Sequence, residues 1–351
     1  MKPVTAKSGK INRTCLNLIL AALLIFLCSM SLSAHDLGVS AISLEMKDGK
    51  LVVYSNYARA DFDAVLKFNN AEDFKEFTKK AVAVEIDGMA LNVLDNDVST
   101  DNADGLNLRH SFGEVSGEKI KITSFLPSKL SSNHVQILKL IRNDKEISRQ
   151  FLTGDDNSYV FDLEDLSSPN SFGQFLMLGI KHIAFGFDHL LFLFALLLVI
   201  SRFGEIARIV TFFTIAHSIT LSLAALEVIT VPSSIVEPII AVSIIYVALE
   251  NIFKTEQTKR WLIAYVFGLV HGLGFAGVLR DIGIGSGTDS IMPLLSFNLG
   301  VEIGQIAIIL LVLPVLWKLQ RKKFYRTKFV PVCSGLIAIA GLYWLVERTI
   351  Y

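Results

Sequence analysis

The stretch that decides the fold runs from Lys181 to Ile200 and reads KHIAFGFDHLLFLFALLLVI. Its length and apolar character predict a membrane span, because about 20 mainly apolar residues cross the hydrocarbon layer. His182, Asp188 and His189 nevertheless lie inside it. Ionisable side chains at that depth are costly to bury, and they usually mark a functional site. The segment therefore predicts both a membrane protein and a buried polar site within it.

The composition divides the chain into two parts. The sequence has 351 residues, is 52% hydrophobic and has zero formal net charge, which gives no sign of nucleic-acid binding. Up to about residue 170 the polarity is mixed, whereas the remainder consists mostly of apolar runs of membrane length. Of the three cysteines only Cys333 lies beyond the N-terminal leader, which excludes a disulfide framework and a cysteine-rich metal site.

Residues 1–34 are typical of a signal peptide, with a basic start, an apolar stretch at Leu16–Leu27 and small residues up to Ala34. An uncleaved anchor helix is the alternative. Residues 35–168 predict an exported all-β, sandwich-like domain, because short runs of alternating polarity are separated by the turn sequences Lys47-Asp48-Gly49, Asp87-Gly88 and Gly154-Asp155-Asp156. An α+β domain is the alternative, since residues 63–80 are helical in character. The candidate strands are Val39–Met46, Lys50–Tyr57, Ala81–Ile86, Leu106–Phe112, Lys119–Phe125, Val135–Ile141, Ile147–Leu152 and Ser158–Leu163.

Residues 172–347 predict a bundle of six transmembrane helices. The spans are expected near Phe175–Ile200, Ile206–Leu226, Pro232–Ile252, Trp261–Leu279, Ile291–Trp317 and Phe329–Val346. Gly186 divides the first apolar run, which leaves open a kink, a re-entrant segment or an interfacial position for its first turns. Lys and Arg concentrate in the first, third and fifth loops. With an exported β domain, this asymmetry predicts a cytoplasmic (inner) membrane protein whose N-terminal domain and C-terminus are on the exported, periplasmic side.

Further ionisable residues lie in the other predicted spans. His182 and His189 are about two turns apart and share a face if their helix is continuous, whereas Asp188 points toward a neighbouring helix or orients an imidazole. The glycines around His271 allow either close helix packing or local unwinding. For any one histidine, a hydrogen bond to a backbone carbonyl is the structural alternative. The predicted metal ligands are His182, Asp188, His189, His217, His271 and Glu302, with Glu237, Asn298 and Gln305 as supporting polar residues.

This donor set of imidazoles and carboxylates suits nickel, cobalt, zinc or copper ions, and the absence of thiolates disfavours a copper(I) or iron–sulfur site. The ion is expected as a transported or bound species rather than a prosthetic group, and we predict no catalytic residues and no organic cofactor. The other partners expected are the lipid bilayer and a periplasmic protein that contacts the β domain. No nucleic-acid partner is expected.

Four motifs in the membrane half resemble the HupE/UreJ family of bacterial membrane proteins. They are His182-x5-Asp188-His189, Phe213-Thr214-Ile215-Ala216-His217-Ser218, Gly268-Leu269-Val270-His271-Gly272 and Phe297-Asn298-Leu299-Gly300-Val301-Glu302. The resemblance covers roughly Phe172 to Val346, and it implies a nickel permease in which His182, Asp188, His189 and His271 handle the metal. Short members carry a glutamate just beyond the fourth-span histidine, where this chain reads Phe275-Ala276-Gly277-Val278, and they lack a large exported domain. The chain is therefore similar to a longer subgroup, and nickel follows from kinship alone.

Three functions compete at this point. The first is transport of a divalent transition metal ion through the buried site. The second is an intramembrane metal-dependent hydrolase with Asp188 or Glu302 as general base, although the chain lacks the H-E-x-x-H motif of many zinc hydrolases. The third is a membrane-anchored assembly or sensor protein, which the number of buried ionisable groups disfavours. No P-loop sequence is present, so the chain carries no ATPase of that type.

Overall fold

A computed structural model describes residues 38–58, 71–100, 105–130, 134–153, 156–164, 171–253, 259–275, 279 and 291–350. The predicted signal peptide, the first part of the segment 63–80, the predicted turn at residues 154 and 155 and the loop 280–290 lie outside these residues.

The N-terminal region is rich in β-structure, as the sequence predicts. In chain order its elements are β1 (Val39–Lys47), β2 (Lys50–Ala58), α1 (Ala71–Lys79), β3 (Val82–Ile86), β4 (Met89–Ala90), β5 (Asp95–Thr100), β6 (Gly105–Glu114), β7 (Lys119–Ser124), α2 (Pro127–Leu130), β8 (Val135–Arg142), β9 (Lys145–Thr153) and β10 (Ser158–Asp162). Strands β4 and β5 do not correspond to any predicted strand. The first has two residues, and the second reads DNDVST, whose Asp and Asn residues are depleted in strands.

The strands form two sheets around one core. One sheet has the order β5-β6-β2-β1-β8-β9 and the other the order β10-β7-β3-β4. Leu44 and Val53 of the first sheet pack in the same buried cluster as Val84 and Ile120 of the second. The pairing is antiparallel except between β1 and β8, which run parallel. This shared core is what the alternating polarity of the strands predicts.

Tight turns set the register of the hairpins. Asp48 and Gly49, between β1 and β2, both have positive φ, at 52° and 74°. Asp87 and Gly88, between β3 and β4, have φ of 47° and 82°. Two successive residues of positive φ make the type I′ turn, whose twist matches that of paired strands, and Asp-Gly is a preferred sequence for it. Both turn predictions are therefore confirmed.

The C-terminal region consists of helices, most of them strongly apolar. They are α3 (Ser171–Phe185), α4 (Phe187–Leu197), α5 (Phe203–Ala225), α6 (Ser233–Phe253), α7 (Arg260–Gly274), α8 (Ile291–Gln320) and α9 (Val330–Ile350), with the π-helical turn Tyr325–Phe329 directly before α9. Among the described residues four helices are long and apolar enough to cross a membrane, namely α5, α6, α8 and the turn with α9. The pair α3 and α4 makes a fifth candidate if it is a single span bent by 65°.

The fourth predicted span corresponds to α7, whose 15 residues are short for a crossing. Residues 276–278, which would extend it, lie outside the described part of the chain. The bundle of six spans therefore stays a prediction, and the bend at Gly186 fits either a broken span or a re-entrant segment.

Glycines bring the helices into close pairs. A Cβ atom added at Gly179 of α3 would collide with the carbonyl oxygen of Phe297 on α8. One added at Gly272 of α7 would collide with the carbonyl oxygen of His217 on α5. Helix α7 remains helical through Gly274, so the glycines around His271 serve close packing rather than local unwinding.

The β region packs on one end of the helices. Val39 and Ile137, from the adjacent strands β1 and β8, share a buried cluster with Phe175 at the start of α3 and Ala225 at the end of α5. This end of the bundle, where α3 begins and α5 ends, is called the β-side end below.

Candidate metal site

The bend at Gly186 joins the two histidines of the first motif. On a continuous helix, residues seven positions apart are separated by about 10 Å along the axis. In the structure the chain turns by 65° between α3 and α4, and the ring centroids of His182 and His189 are 4.9 Å apart. The sequence predicts a shared face only for a continuous helix; the helix is broken, and the bend brings the two rings together.

Two more helices add an imidazole each. His217 of α5 lies with its ring centroid 6.0 Å from that of His182 and 5.7 Å from that of His189. His271 of α7 lies 4.7 Å from His189. These four residues, called the histidine cluster below, are each at most 4% exposed. Helices distant in sequence thus place four imidazoles in one buried position.

Three ring nitrogens of the cluster lie close enough together to hold one metal ion. One nitrogen each from His182, His189 and His217 can be chosen so that all three lie within 4.8 Å of one another. Within the described residues, neither ring nitrogen of His182 or of His217 has a hydrogen-bond partner. Buried polar atoms are nearly always hydrogen-bonded, so these unpaired nitrogens are available to a ligand. The structural alternative, an imidazole bonded to a backbone carbonyl, does not describe these two residues.

His271 is held from the side by a serine. Its Nε2 lies 3.1 Å from the hydroxyl oxygen of Ser243 on α6, and its Nδ1 has no partner among the described residues. The same hydroxyl donates to the carbonyl oxygen of Ile240 at 2.6 Å. Ser243 is therefore oriented by its own helix and fixes the ring of His271.

Asp188 contacts the cluster through its neighbour. Its Oδ1 accepts hydrogen bonds from the backbone nitrogen of His189 at 2.9 Å and from Nδ1 of the same residue at 3.1 Å. A carboxylate on one ring nitrogen holds the imidazole in the tautomer that presents the other nitrogen to a metal. Asp188 lies in the first turn of α4, where the helix dipole favours a negative charge.

Aromatic rings enclose the site. Phe275 and Phe297 stack on each other with centroids 5.1 Å apart, and the ring of Phe275 is 4.2 Å from that of His182. Phe213 of α5 lies beside His217 and His271 at 6.0 and 5.4 Å. These side chains make the surroundings apolar, which strengthens electrostatic interactions inside.

For the other predicted site residues, the structure describes no direct contact with the histidine cluster. Glu302 is half-buried and makes no hydrogen bond or ion pair in the described part of the chain. Asn298 and Gln305, expected to neighbour it, instead accept hydrogen bonds from Ser218 at 2.9 Å and Thr214 at 2.8 Å, because the hydroxyls of α5 face this side of α8. Glu237 is 46% exposed and pairs with Arg348.

Arg348 is the residue that sequence reasoning missed. It lies in the last turn of α9, two residues beyond the predicted end of the sixth span, and its sequence position alone gave it no role. In the structure its side chain is 8% exposed and its Nη2 is 3.3 Å from Oδ2 of Asp188. A signal was available, because a buried carboxylate needs a cationic partner and Arg348 is one of the few basic residues at the β-side end.

Long apolar helices around a buried group of imidazoles define a membrane protein with a candidate metal site. The family model described as HupE / UreJ protein matches residues 159–348, which include the whole cluster and the helices that carry it. The chain belongs to the HupE/UreJ family, which confirms the resemblance in its motifs. No curated protein matches the chain.

Proposed function

We propose that this protein carries a divalent transition metal ion, nickel or cobalt, across the cytoplasmic membrane. The observation that carries the proposal is a group of buried ring nitrogens on His182 and His217, beside His189 and His271, that have no hydrogen-bond partner in the part of the chain that the structure describes. Its family, HupE/UreJ, is associated with the transport of these metals. Imidazole nitrogen is a good ligand for nickel, cobalt and zinc, so the cluster does not by itself choose among them.

The chemistry of binding follows from the surroundings. An ion that leaves water for this apolar site needs donors that replace its hydration shell, and the imidazoles supply them. Because neutral histidines add no negative charge, Asp188 is the nearby group that offsets the charge of the ion. A site of few neutral donors also releases its ion more easily than one of several carboxylates, as a transport pathway requires.

The distribution of charge supports an orientation. Hydrogen bonds from Tyr325 to Leu198 and from Gln320 to Ile200 join the loop after α4 to the loop after α8. Both loops lie at the end of the helices opposite the β-side end. These loops and the start of α7 carry most of the basic residues of the helical region, including Arg202, Lys259, Arg260, Lys318, Arg321, Lys322, Lys323, Arg326 and Lys328. By the positive-inside rule this end is cytoplasmic, so the β region is periplasmic.

The proposed organisation completes the six spans. Residues 1–34 are the signal peptide, 35–168 the exported domain and 172–347 the membrane domain. Helices α3 and α4 form one broken span, and α7 belongs to the fourth. Broken helices at a buried site are common in transporters, where the break lets the chain hold an ion.

Transport is favoured over hydrolysis by the position of the carboxylates. A hydrolase of this kind needs a free carboxylate beside metal-bound water. Asp188 is engaged by His189 and Arg348, and Glu302 does not belong to the three-histidine group of ligand atoms. A peptide or lipid hydrolysis assay with the zinc-loaded protein is the corresponding test, and turnover that depends on Asp188 would favour the enzyme.

The direct test is uptake of radioactive nickel into cells or proteoliposomes. We expect His217→Ala to lower uptake by about tenfold or more, since even residues that only support a metal ligand contribute 10–100-fold to affinity. The matched control is His110→Gln, another buried histidine, which lies in the β region and contacts the carbonyl oxygen of Thr78 at 2.9 Å. Equal uptake by wild type and His217→Ala would remove the transport proposal. Glu302→Gln, measured beside them, decides whether that carboxylate takes part.

A further inference from the structure

A buried guanidinium lies at the β-side end of the histidine cluster. Arg348, in the last turn of α9, contacts Asp188 in the first turn of α4 and Glu237 near the start of α6. Its Nη2 is 3.3 Å from Oδ2 of Asp188, its Nε is 3.6 Å from Oε2 of Glu237, and its Nη1 donates to the carbonyl oxygen of Glu237 at 3.2 Å. One cation thus bridges a buried acid and a half-exposed acid.

We propose that Arg348 is a charge gate for the metal site, an inference that rests on the proposed function. Without metal, the guanidinium neutralises Asp188. When a divalent cation binds the histidine cluster, its charge attracts the carboxylate of Asp188 through the hydrogen-bonded ring of His189. The guanidinium then shifts its ion pair to Glu237. Arg348 therefore competes with the ion for the same carboxylate.

The geometry provides for both states of the gate. The guanidinium already contacts the carboxylate and the backbone carbonyl of Glu237, so release from Asp188 does not leave it unpaired. The side chain of Glu237 is 46% exposed, whereas that of Asp188 is 7% exposed, so the shift carries the positive charge outward. The aromatic ring of Trp344, 5.9 Å from the guanidinium carbon, lines the same place.

The charges make the gate selective for the valence of the ion. Arg348 and a bound ion are both positive, and in an apolar site they repel each other strongly. If a monovalent ion displaced the guanidinium, one positive charge beside Asp188 would simply be replaced by another, with no gain. A divalent ion brings twice that charge, so the exchange favours it. Arg348 thereby acts as a specificity-determining residue that does not touch the ion.

The gate predicts opposite effects on Ni²⁺ affinity for substitutions of Arg348 and of Glu237. Arg348→Gln removes the competitor of the ion, so Ni²⁺ should bind about tenfold more tightly, which corresponds to about 1.4 kcal/mol. Glu237→Gln removes the outward partner of the guanidinium and should weaken Ni²⁺ binding. The matched control is Arg260→Gln, which removes a guanidinium of similar burial that pairs with Glu250 at 3.4 Å near the opposite end. It should leave Ni²⁺ affinity unchanged.

The experiment is equilibrium binding of ⁶³Ni²⁺ to the full-length protein in lipid nanodiscs, with far-UV circular dichroism as a check of folding. Tighter binding by Arg348→Gln together with weaker binding by Glu237→Gln supports the gate. Weaker binding by both variants, or no change in either, overturns it and leaves Arg348 as a structural partner of Asp188. If Arg348→Gln does not fold, the sign of the change in Glu237→Gln decides.

The outcome separates the gate from the proposed function. If the wild type binds Ni²⁺ and His217→Ala does not, the proposed metal site is supported, whatever the Arg348 variants do. Wild type that binds none of Ni²⁺, Co²⁺ and Zn²⁺ overturns both proposals.

Discussion

The contact between α3 and α8 offers a sharp test of how packing supports the site. At Gly179 an added methyl group would meet the carbonyl oxygen of Phe297, and it would lie 3.0 Å from the carbonyl carbon of Phe297 and 3.0 Å from the nitrogen of Val301. These are backbone atoms, which cannot turn aside. Carbon contacts are optimal at about 3.5–4.0 Å, so Gly179→Ala should push the two helices apart by roughly 1 Å.

The expected cost of Gly179→Ala is about 1–3 kcal/mol of unfolding free energy, the usual range for overpacking. The higher helix propensity of alanine offsets up to about 1 kcal/mol of this. Gly173, on the same helix, has no atom within 4 Å of an added Cβ, so Gly173→Ala should be neutral or stabilising. Comparing the two substitutions separates packing from propensity.

The assay is unfolding of the full-length protein in mixed micelles with increasing SDS, followed by circular dichroism. Nickel affinity is measured in parallel. His182 lies one turn beyond Gly179, and its ring is 5.5 Å from that of Phe297, so separation of the helices should also weaken the metal site. Equal stability of the two alanine variants would refute the close contact of α3 and α8.

Two further predictions concern pH and metal. Burial lowers the pKa of His134 in the β region from 6.5 to about 4. The unfolded chain therefore binds this proton first, so the β region should lose up to about 3 kcal/mol as the pH falls from 6.5 to 4. Hydrogen exchange of wild type and His134→Gln checks this, and an equal pH dependence in both would contradict it. Nickel at 100 times its dissociation constant should stabilise the protein by about 2.7 kcal/mol. Thermal unfolding with and without a chelator measures this gain, which should be absent in His182→Ala.

Much of the fold follows from local pattern. Alternating polarity and the Asp-Gly turns of the β region act between near neighbours, so eight strand positions and two type I′ turns are readable from sequence. The apolar length of most helices is equally local. Strand β5 was not predicted because its polar residues are held by pairing with β6, a contact that no local pattern indicates.

The sequence by itself determined that His182, His189, His217 and His271 lie in apolar segments, since burial of an ionisable group among apolar neighbours is visible residue by residue. It also marked Gly186 as a break. Only the tertiary structure decided which acids accompany the histidines: Asp188 lies beside them, whereas Glu302 does not join them. The position of Arg348 was likewise decided in three dimensions, because its ion pair joins residues 160 positions apart. Helix packing brings such groups together, and packing depends on the shapes of many side chains at once rather than on the spacing of a few.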